Sequence, residues 1–258
     1  MTNYHTSSTH RFSDCSRRPG HNKRKVKVSF VGLMCLVVSF GCCAGAFAGE
    51  ADRHSISQRS IIPILGTTYN ENWDQVGIVA EVELEFVQRT DHDGLQLEFS
   101  TKPGRFSSLA QQSVQHALEF VSQAANLNTD SWTVRFTLPY TGVTLYGESL
   151  SAMAAMSVVA LAKGEIIHAD TVMTGTVTPE GSIGTVGGIP LKILAAHEEH
   201  FRRVLIPEEP DVADGDWETP FLMHVSPVKS VDVAYLALTD HPLKSQDVPK
   251  RFDVTLAH

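Results

Sequence analysis

The chain lacks cysteine over most of its length. Its four cysteines, Cys15, Cys35, Cys42 and Cys43, all lie within the first 48 of 258 residues. The sequence from residue 49 onward therefore predicts no disulfide, no thiol nucleophile and no cysteine metal site.

Positive charge is also scarce beyond this segment. Residues 1–48 hold seven of the 21 Lys and Arg residues but one of the 29 Asp and Glu residues, which leaves 14 basic and 28 acidic residues from Gly49 onward. Nucleic-acid binding depends on clustered Lys and Arg side chains that contact phosphates. The acidic remainder therefore predicts no nucleic-acid partner.

Metal-binding patterns are weak. His197 and His200 are three residues apart, which differs from the four-residue spacing of His-Glu-x-x-His zinc sites. Asp211, Asp214 and Asp216 are oxygen ligands that calcium would accept, but an acidic loop of this kind is typical of a solvated surface. We therefore predict no metal and no other cofactor.

One long apolar run is present, and it follows the basic start. Residues 28–47 are uncharged, and Ala46-Phe47-Ala48 fits the small-x-small rule of signal peptidase. Residues 1–48 are thus predicted to be a secretory signal. A run of about 20 residues also suffices to span a bilayer if it is not cut, so a membrane tether through residues 28–48 is the alternative. In both cases the rest is exported, either secreted, periplasmic or anchored outside the cytoplasm.

Hydrophobic periodicity divides the remainder into strands and helices. Alternation with a period of two predicts an antiparallel hairpin of residues 79–86 and 95–99 and a strand at 132–138. Helical spacing predicts helices at 106–127, 153–162, 189–201 and 230–238. Because the two kinds of element mix without strict alternation, we predict a single α+β domain with a mixed sheet and packed helices.

The domain limits follow from composition. Residues 49–60 are polar and are predicted to form a tether, residues 61–240 the folded domain and residues 241–258 a C-terminal tail.

Ser149 and Lys192 are the candidate catalytic residues. A serine hydroxyl is a weak nucleophile unless a base accepts its proton, and a lysine is such a base only as a neutral amine. Lys192 lies in the apolar segment 189–196, whose burial would lower its pKa. Ser149 precedes the apolar helix, where unpaired backbone amides can hold an oxyanion, and Gly147 would let a substrate backbone approach.

Each of these residues also has a simpler interpretation. Ser149 has the residue type of a helix cap, and Lys192 taken alone resembles a surface lysine with a buried stem. Ser151 is a rival nucleophile, although its hydroxyl would point elsewhere because it lies inside the helix. Residue types and spacing leave these alternatives open.

A set of motifs in fixed order resembles the proteolytic domain of Lon protease. The motifs are Gly147-Glu148-Ser149, Gly164, Ala169-Asp170, Met173-Thr174-Gly175, Gly181, Val186-Gly187-Gly188, Lys192, Ala195-Ala196-His197 and Val204-Leu205-Ile206-Pro207. The separation of 43 residues between Ser149 and Lys192 matches the catalytic dyad of that family. The resemblance extends more loosely from residue 79 to about residue 240.

The resemblance implies a function for each matching residue. Ser149 would be the nucleophile, Lys192 the general base and Thr174 the residue that positions the lysine, with Gly147 and Glu148 in the oxyanion and substrate loop. It implies the compact α+β Lon proteolytic fold, hydrolysis of peptide bonds in an unfolded protein or peptide through an acyl-enzyme, and a homo-oligomeric ring.

The sequence departs from the family at several positions. Tyr146 stands where many Lon sequences have aspartate, and Glu148 stands where they have proline or aspartate. These changes motivate an alternative, a non-catalytic binding or assembly module outside the cytoplasm. The phosphate-loop pattern Gly-x-x-x-x-Gly-Lys-[Ser/Thr] is not found, because residues 181–192 place their lysine differently. We therefore expect an ATP-independent serine endopeptidase.

Overall fold

The computed structural model describes residues 56–209, 211–215 and 217–244. The described residues form four α-helices, and each overlaps a helix that the periodicity predicts. They are α1 (Ser108–Ala124), α2 (Ser151–Lys163), α3 (Ile189–Glu198) and α4 (Val231–Thr239). None of these helices is long and apolar enough to cross a membrane. The predicted signal or anchor, residues 1–48, lies outside the described residues.

The strands are more numerous than the periodicity predicts. They are β1 (Ile56–Tyr69), β2 (Gln75–Gln88), β3 (Gln96–Phe99), β4 (Arg105–Phe106), β5 (Trp132–Thr137), β6 (Thr144–Leu145), β7 (Thr171–Met173), β8 (Thr176–Val177), β9 (Ile183–Gly184), β10 (Arg203–Pro207) and β11 (His224–Val228). The single α+β domain that the sequence predicts is confirmed.

The main sheet has four strands in the order β1-β2-β5-β3. β1 and β2 form a long antiparallel hairpin in which Ile56 pairs with Gln88 and Tyr69 with Gln75. The predicted hairpin of residues 79–86 and 95–99 is therefore wrong, because β3 pairs in parallel with β5 and not with β2. The hairpin partner of β2 is β1, whose apolar residues do not alternate.

β1 lies between two hydrophobic cores, which explains why its pattern is not periodic. Ile62 and Ile64 belong to a larger core that includes α1 and α2, whereas Leu65 belongs to a smaller core with Ile189 and Ile193 of α3. Successive side chains of a strand point to opposite faces, so α2 and α3 pack on opposite faces of the β1-β2 hairpin.

The domain extends beyond both of its predicted limits. Residues 56–60, assigned to the tether by composition, are the first residues of β1 and pair with β2. At the other end, Leu243 is buried, and Lys163 Nζ donates hydrogen bonds to the carbonyl oxygens of Pro242 and Leu243 at 2.9 and 3.2 Å. Residues 56–60 are polar in composition and therefore gave no strand pattern. Residues 241–244 are too few to show a pattern of their own.

α2 is the central helix of the larger core. All residues from Ser151 to Ala160 are buried, as the apolar run predicts. The helix ends at Gly164, which adopts the left-handed conformation (φ 70°) that glycine accepts without strain. A helix enclosed in this way has a fixed N-terminus, and Ser149 lies two residues before its first residue, Ser151.

α3 is held in the smaller core against β2 and against the parallel sheet β11-β10-β7. The contact with β2 is so close that a Cβ atom on Gly77 would lie 1.9 Å from the carbonyl oxygen of Leu191. Glycine is therefore required at residue 77, and the close approach fixes the segment that carries Lys192.

Candidate active site

A cleft of about 550 Å³ contains the predicted catalytic residues. One wall is formed by residues 64–68 of β1 with Ile78 and Ala80 of β2, and the opposite wall by residues 143–150 and 185–187. Ser149 and Lys192 both line this cleft, as do Gly147 and Glu148. The structure thus brings together residues that are 43 positions apart in the chain.

Ser149 does not cap α2. The N-cap residue is Leu150, and no side chain makes a capping hydrogen bond there. Ser149 is half-buried, and its hydroxyl has no hydrogen-bond partner among the described residues. The hydroxyl therefore remains available to a substrate in the cleft.

Ser151, the rival nucleophile, is inaccessible. Its side chain is 0% exposed, and its hydroxyl oxygen has no hydrogen-bond partner in the described part of the chain. A substrate peptide cannot reach this oxygen without displacing α2 from the larger core.

The loop before α2 leaves backbone donors unpaired. The amides of Ser151 and Ala152 donate to the carbonyl oxygens of Glu148 and Gly175, so the first two amides of the helix are occupied. The amides of residues 147–150 donate no hydrogen bond to any described residue. These earlier amides, rather than those of the helix itself, are the donors available to an oxyanion.

Thr174 connects the lysine to the serine backbone. It follows β7 and is fully buried, with its amide donating to the Leu205 carbonyl oxygen of β10 at 3.1 Å. Its hydroxyl accepts a hydrogen bond from Lys192 Nζ at 3.2 Å and donates to the Ser149 carbonyl oxygen at 3.4 Å. Because the hydroxyl proton is directed to Ser149, the Thr174 oxygen is left as an acceptor for the amine.

Lys192 is buried, with 3% of its surface exposed. Burial lowers the pKa of its amine from 10.5 to about 8, and the negative charge of Asp214 partly opposes this decrease. A pKa near 8 leaves about one-tenth of the amine neutral at pH 7. The side chain is thus able to act as a base near neutral pH.

Pro190, two residues before the lysine, fits the helix. It lies in the first turn of α3, where proline is well accepted because the amide that it lacks has no partner within the helix. The first turn keeps the hydrogen bond from the Lys192 amide to the Gly188 carbonyl oxygen at 3.0 Å. Proline therefore does not disturb the placement of Lys192.

Two residues of the substrate loop lie at the rim of the cleft. The Tyr146 side chain is 77% exposed, and Glu148 is exposed and makes no salt bridge with any described residue. Gly147 between them has φ 83°, a left-handed conformation that favours glycine. The unusual side chains at 146 and 148 thus lie at the exposed part of the cleft lining, and neither takes part in the hydrogen bonds that join Lys192, Thr174 and Ser149.

The carboxylate of Asp214 binds the protein backbone, whereas the acidic sequence of its loop predicts a solvated surface. It accepts hydrogen bonds from the amides of Gly188 and Ile189, whereas Asp211 accepts from the amide of Ala213 in its own loop. Both carboxylates therefore bind the backbone, and Asp216 lies outside the described residues. No group of three potential metal ligands occurs among the described residues, those around His197 and His200 included. The 25-residue separation of Asp214 from Ile189 gave no local signal.

Thr174→Val should reduce the rate of any reaction that depends on Lys192 by about 10- to 100-fold, because the amine loses its positioning hydrogen bond. The expected loss is in kcat, with KM little changed, as measured by steady-state peptide hydrolysis. Thr176→Val is the matched control, since Thr176 lines the same cleft but does not bond to Lys192. An equal loss in both variants would contradict a specific function for the Thr174 hydroxyl.

The sequence of this domain matches a known family. Residues 63–238 match the model of the Lon protease (S16) C-terminal proteolytic domain. Similar proteins include Lon protease of Nitrosococcus oceani (31% identity, 42% of this chain and 15% of the relative). Lon protease of Anaeromyxobacter dehalogenans is 25% identical over 81% of this chain and 27% of its own length. Lon protease homolog 2, peroxisomal, of Zea mays is 32% identical over 53% of this chain and 16% of its own length.

Proposed function

Because the chain belongs to the Lon protease (S16) C-terminal proteolytic domain family, we propose that it is a serine endopeptidase with Ser149 as nucleophile and Lys192 as general base. The observation that carries this proposal is the buried Lys192 amine, which is hydrogen-bonded through Thr174 to the backbone of Ser149 in one cleft. The chain spans at most 27% of the length of the three relatives above.

In the proposed reaction, neutral Lys192 accepts the proton of the Ser149 hydroxyl as the oxygen attacks a peptide carbonyl. In this structure the amine bonds to Thr174, so a rotation of the serine or lysine side chain brings donor and acceptor into contact. The tetrahedral oxyanion is stabilised by unpaired amides of residues 147–150. Lys192 then gives its proton to the leaving amine, and water hydrolyses the acyl-enzyme by the reverse proton transfers.

An extended peptide suits the cleft. Among the described strands β1 pairs with β2 alone, so its other edge is unpaired, and residues 64–68 of this strand line the cleft. A peptide that adds to such an edge gains main-chain hydrogen bonds independently of its sequence. We propose unfolded proteins or peptides as substrates.

Two further parts of the proposal concern the need for ATP and the export of the protein. The proposed proton transfers between Ser149 and Lys192 need no nucleotide, so cleavage of an unfolded substrate is proposed to proceed without ATP, which parallel assays with and without ATP would check. Residues 1–48 are proposed to direct export of the protein, and mass spectrometry of the mature N-terminus would test whether they are cleaved.

Labelling by a fluorophosphonate tests the nucleophile and the base together. Mass spectrometry should locate the adduct on Ser149, with a labelling rate that increases about tenfold per pH unit below pH 8 and levels off above it, because the reactive form needs neutral Lys192. Ser149→Ala should not be labelled. Adduct formation at another serine would contradict the assignment of Ser149 as nucleophile, and no labelling from pH 6 to 10 would favour the non-catalytic binding module.

A further inference from the structure

Asp214 supplies the cap that α3 lacks. The N-cap residue Gly188 has φ 71° and no side chain, so α3 has no local capping group. One carboxylate oxygen of Asp214 accepts the Gly188 amide at 2.7 Å, and the other accepts the Ile189 amide at 3.0 Å. Charged hydrogen bonds of this kind at a helix N-terminus are stronger than neutral ones.

The capped turn is the one that carries Lys192. The Lys192 amide donates to the carbonyl oxygen of Gly188, whose own amide is bound by Asp214. The position of the Lys192 backbone thus depends on the place of the Asp214 carboxylate. Asp214 itself lies in the short helical turn Val212–Asp214, which Asp211 caps from its own loop.

Asp214 also acts on Lys192 through its charge. Lys192 and Glu148 are the charged residues that line the cleft, with Tyr146 as a further titratable group and none from β1, β2 or α2. Asp211 lies near Gly187. The negative charge of Asp214 raises the pKa of Lys192 against the larger, lowering effect of burial.

We propose that Asp214 is a positioning residue, whose two hydrogen bonds to the first turn of α3 hold Lys192 in place and bring a negative charge to that turn. This inference rests on the proposed function of Lys192 as general base. The loop after β10 thereby controls the basicity of the site from outside the cleft.

Asp214→Asn separates the charge from the cap, because an amide oxygen still accepts one backbone amide. The pH midpoint for Ser149 labelling should move down by about 0.5 to 1 unit, which raises the labelling rate at pH 7 about three- to fivefold. Asp214→Ala should show the same shift together with a lower plateau at high pH, because both cap bonds are lost. Asp211→Asn is the control and should keep the wild-type midpoint.

A second readout does not need catalysis. Cyanate carbamylates neutral amines only, so the pH dependence of Lys192 carbamylation, followed by mass spectrometry, reports its protonation directly. The midpoint should shift down in Asp214→Asn by the same amount. An unchanged midpoint in a variant whose thermal unfolding remains cooperative, or an equal shift in Asp211→Asn, would overturn the inference. Failure of Ser149 labelling alone would refute the proposed function and leave the Asp214 inference to the carbamylation result.

Discussion

Ser149→Ala should lower the cleavage rate of an unfolded protein substrate by at least about 10³-fold, because removal of a nucleophile leaves only the binding and oxyanion contributions. The measurement is the initial rate of hydrolysis of a reduced, unfolded protein or a fluorogenic peptide by the purified chain at pH 8. The neighbouring Ser151 cannot replace Ser149, since it is enclosed by the larger core.

Ser151→Ala is the matched control for this experiment. Its hydroxyl is buried without a hydrogen-bond partner among the described residues, so its removal leaves no unpaired group and should preserve the cleavage rate. If Ser151→Ala abolished cleavage while Ser149→Ala retained it, the assignment of the nucleophile would be wrong. If the purified wild-type chain neither cleaved a substrate nor formed an adduct, the binding module would be the better interpretation.

Lys192→Met should abolish turnover and at the same time stabilise the fold at neutral pH. The folded-state pKa of about 8 lies below the ordinary value of 10.5. Burial of the charged amine therefore destabilises the folded protein by about 3 kcal/mol below pH 8. Methionine fills a similar volume without charge, and we expect a gain of about 1 to 3 kcal/mol in the free energy of unfolding at pH 7.

The stability difference between the wild type and Lys192→Met should depend on pH, and the direction of this dependence tests the prediction. Between pH 8 and 10.5 the unfolded chain binds more protons at Lys192 than the folded protein does, so wild-type stability relative to the variant increases with pH in this window. Urea unfolding at pH 7 and pH 9.5 measures the free energy of unfolding of both proteins. The excess stability of Lys192→Met over the wild type should decrease as the pH rises. Lys229→Met, at an exposed lysine, should show no such difference. If Lys192→Met were less stable than the wild type at pH 7, the prediction that the buried ammonium charge destabilises the fold would be wrong.

The site could be predicted from the sequence to the extent that its residues lie in contiguous motifs. Ser149 before a buried helix and Lys192 inside an apolar segment are local patterns, and the structure places both in one cleft. The interpretation of Ser149 as a cap could not be decided locally, because capping depends on whether the helix begins at residue 150 or 151.

Features that depend on distant residues escaped prediction. β1 contacts a core on each face, so its buried residues Ile62, Ile64 and Leu65 show no period of two. The cap that Asp214 provides joins segments 25 residues apart, and an acidic loop looks the same whether its carboxylates face water or a helix N-terminus. Both errors have the same origin, since the environment of a side chain is a property of the tertiary structure.

The packing of α2 and α3 on opposite faces of the β1-β2 hairpin places the two residues of the proposed dyad beside cores of unequal size. Ser149 precedes the helix of the larger core, whereas Lys192 belongs to the helix of the smaller one. Segments with fewer buried apolar contacts open at lower free energy than the whole domain. We therefore expect the smaller core to set the heat resistance of the site, because its opening would move Lys192 away from Ser149 while the larger core stays folded.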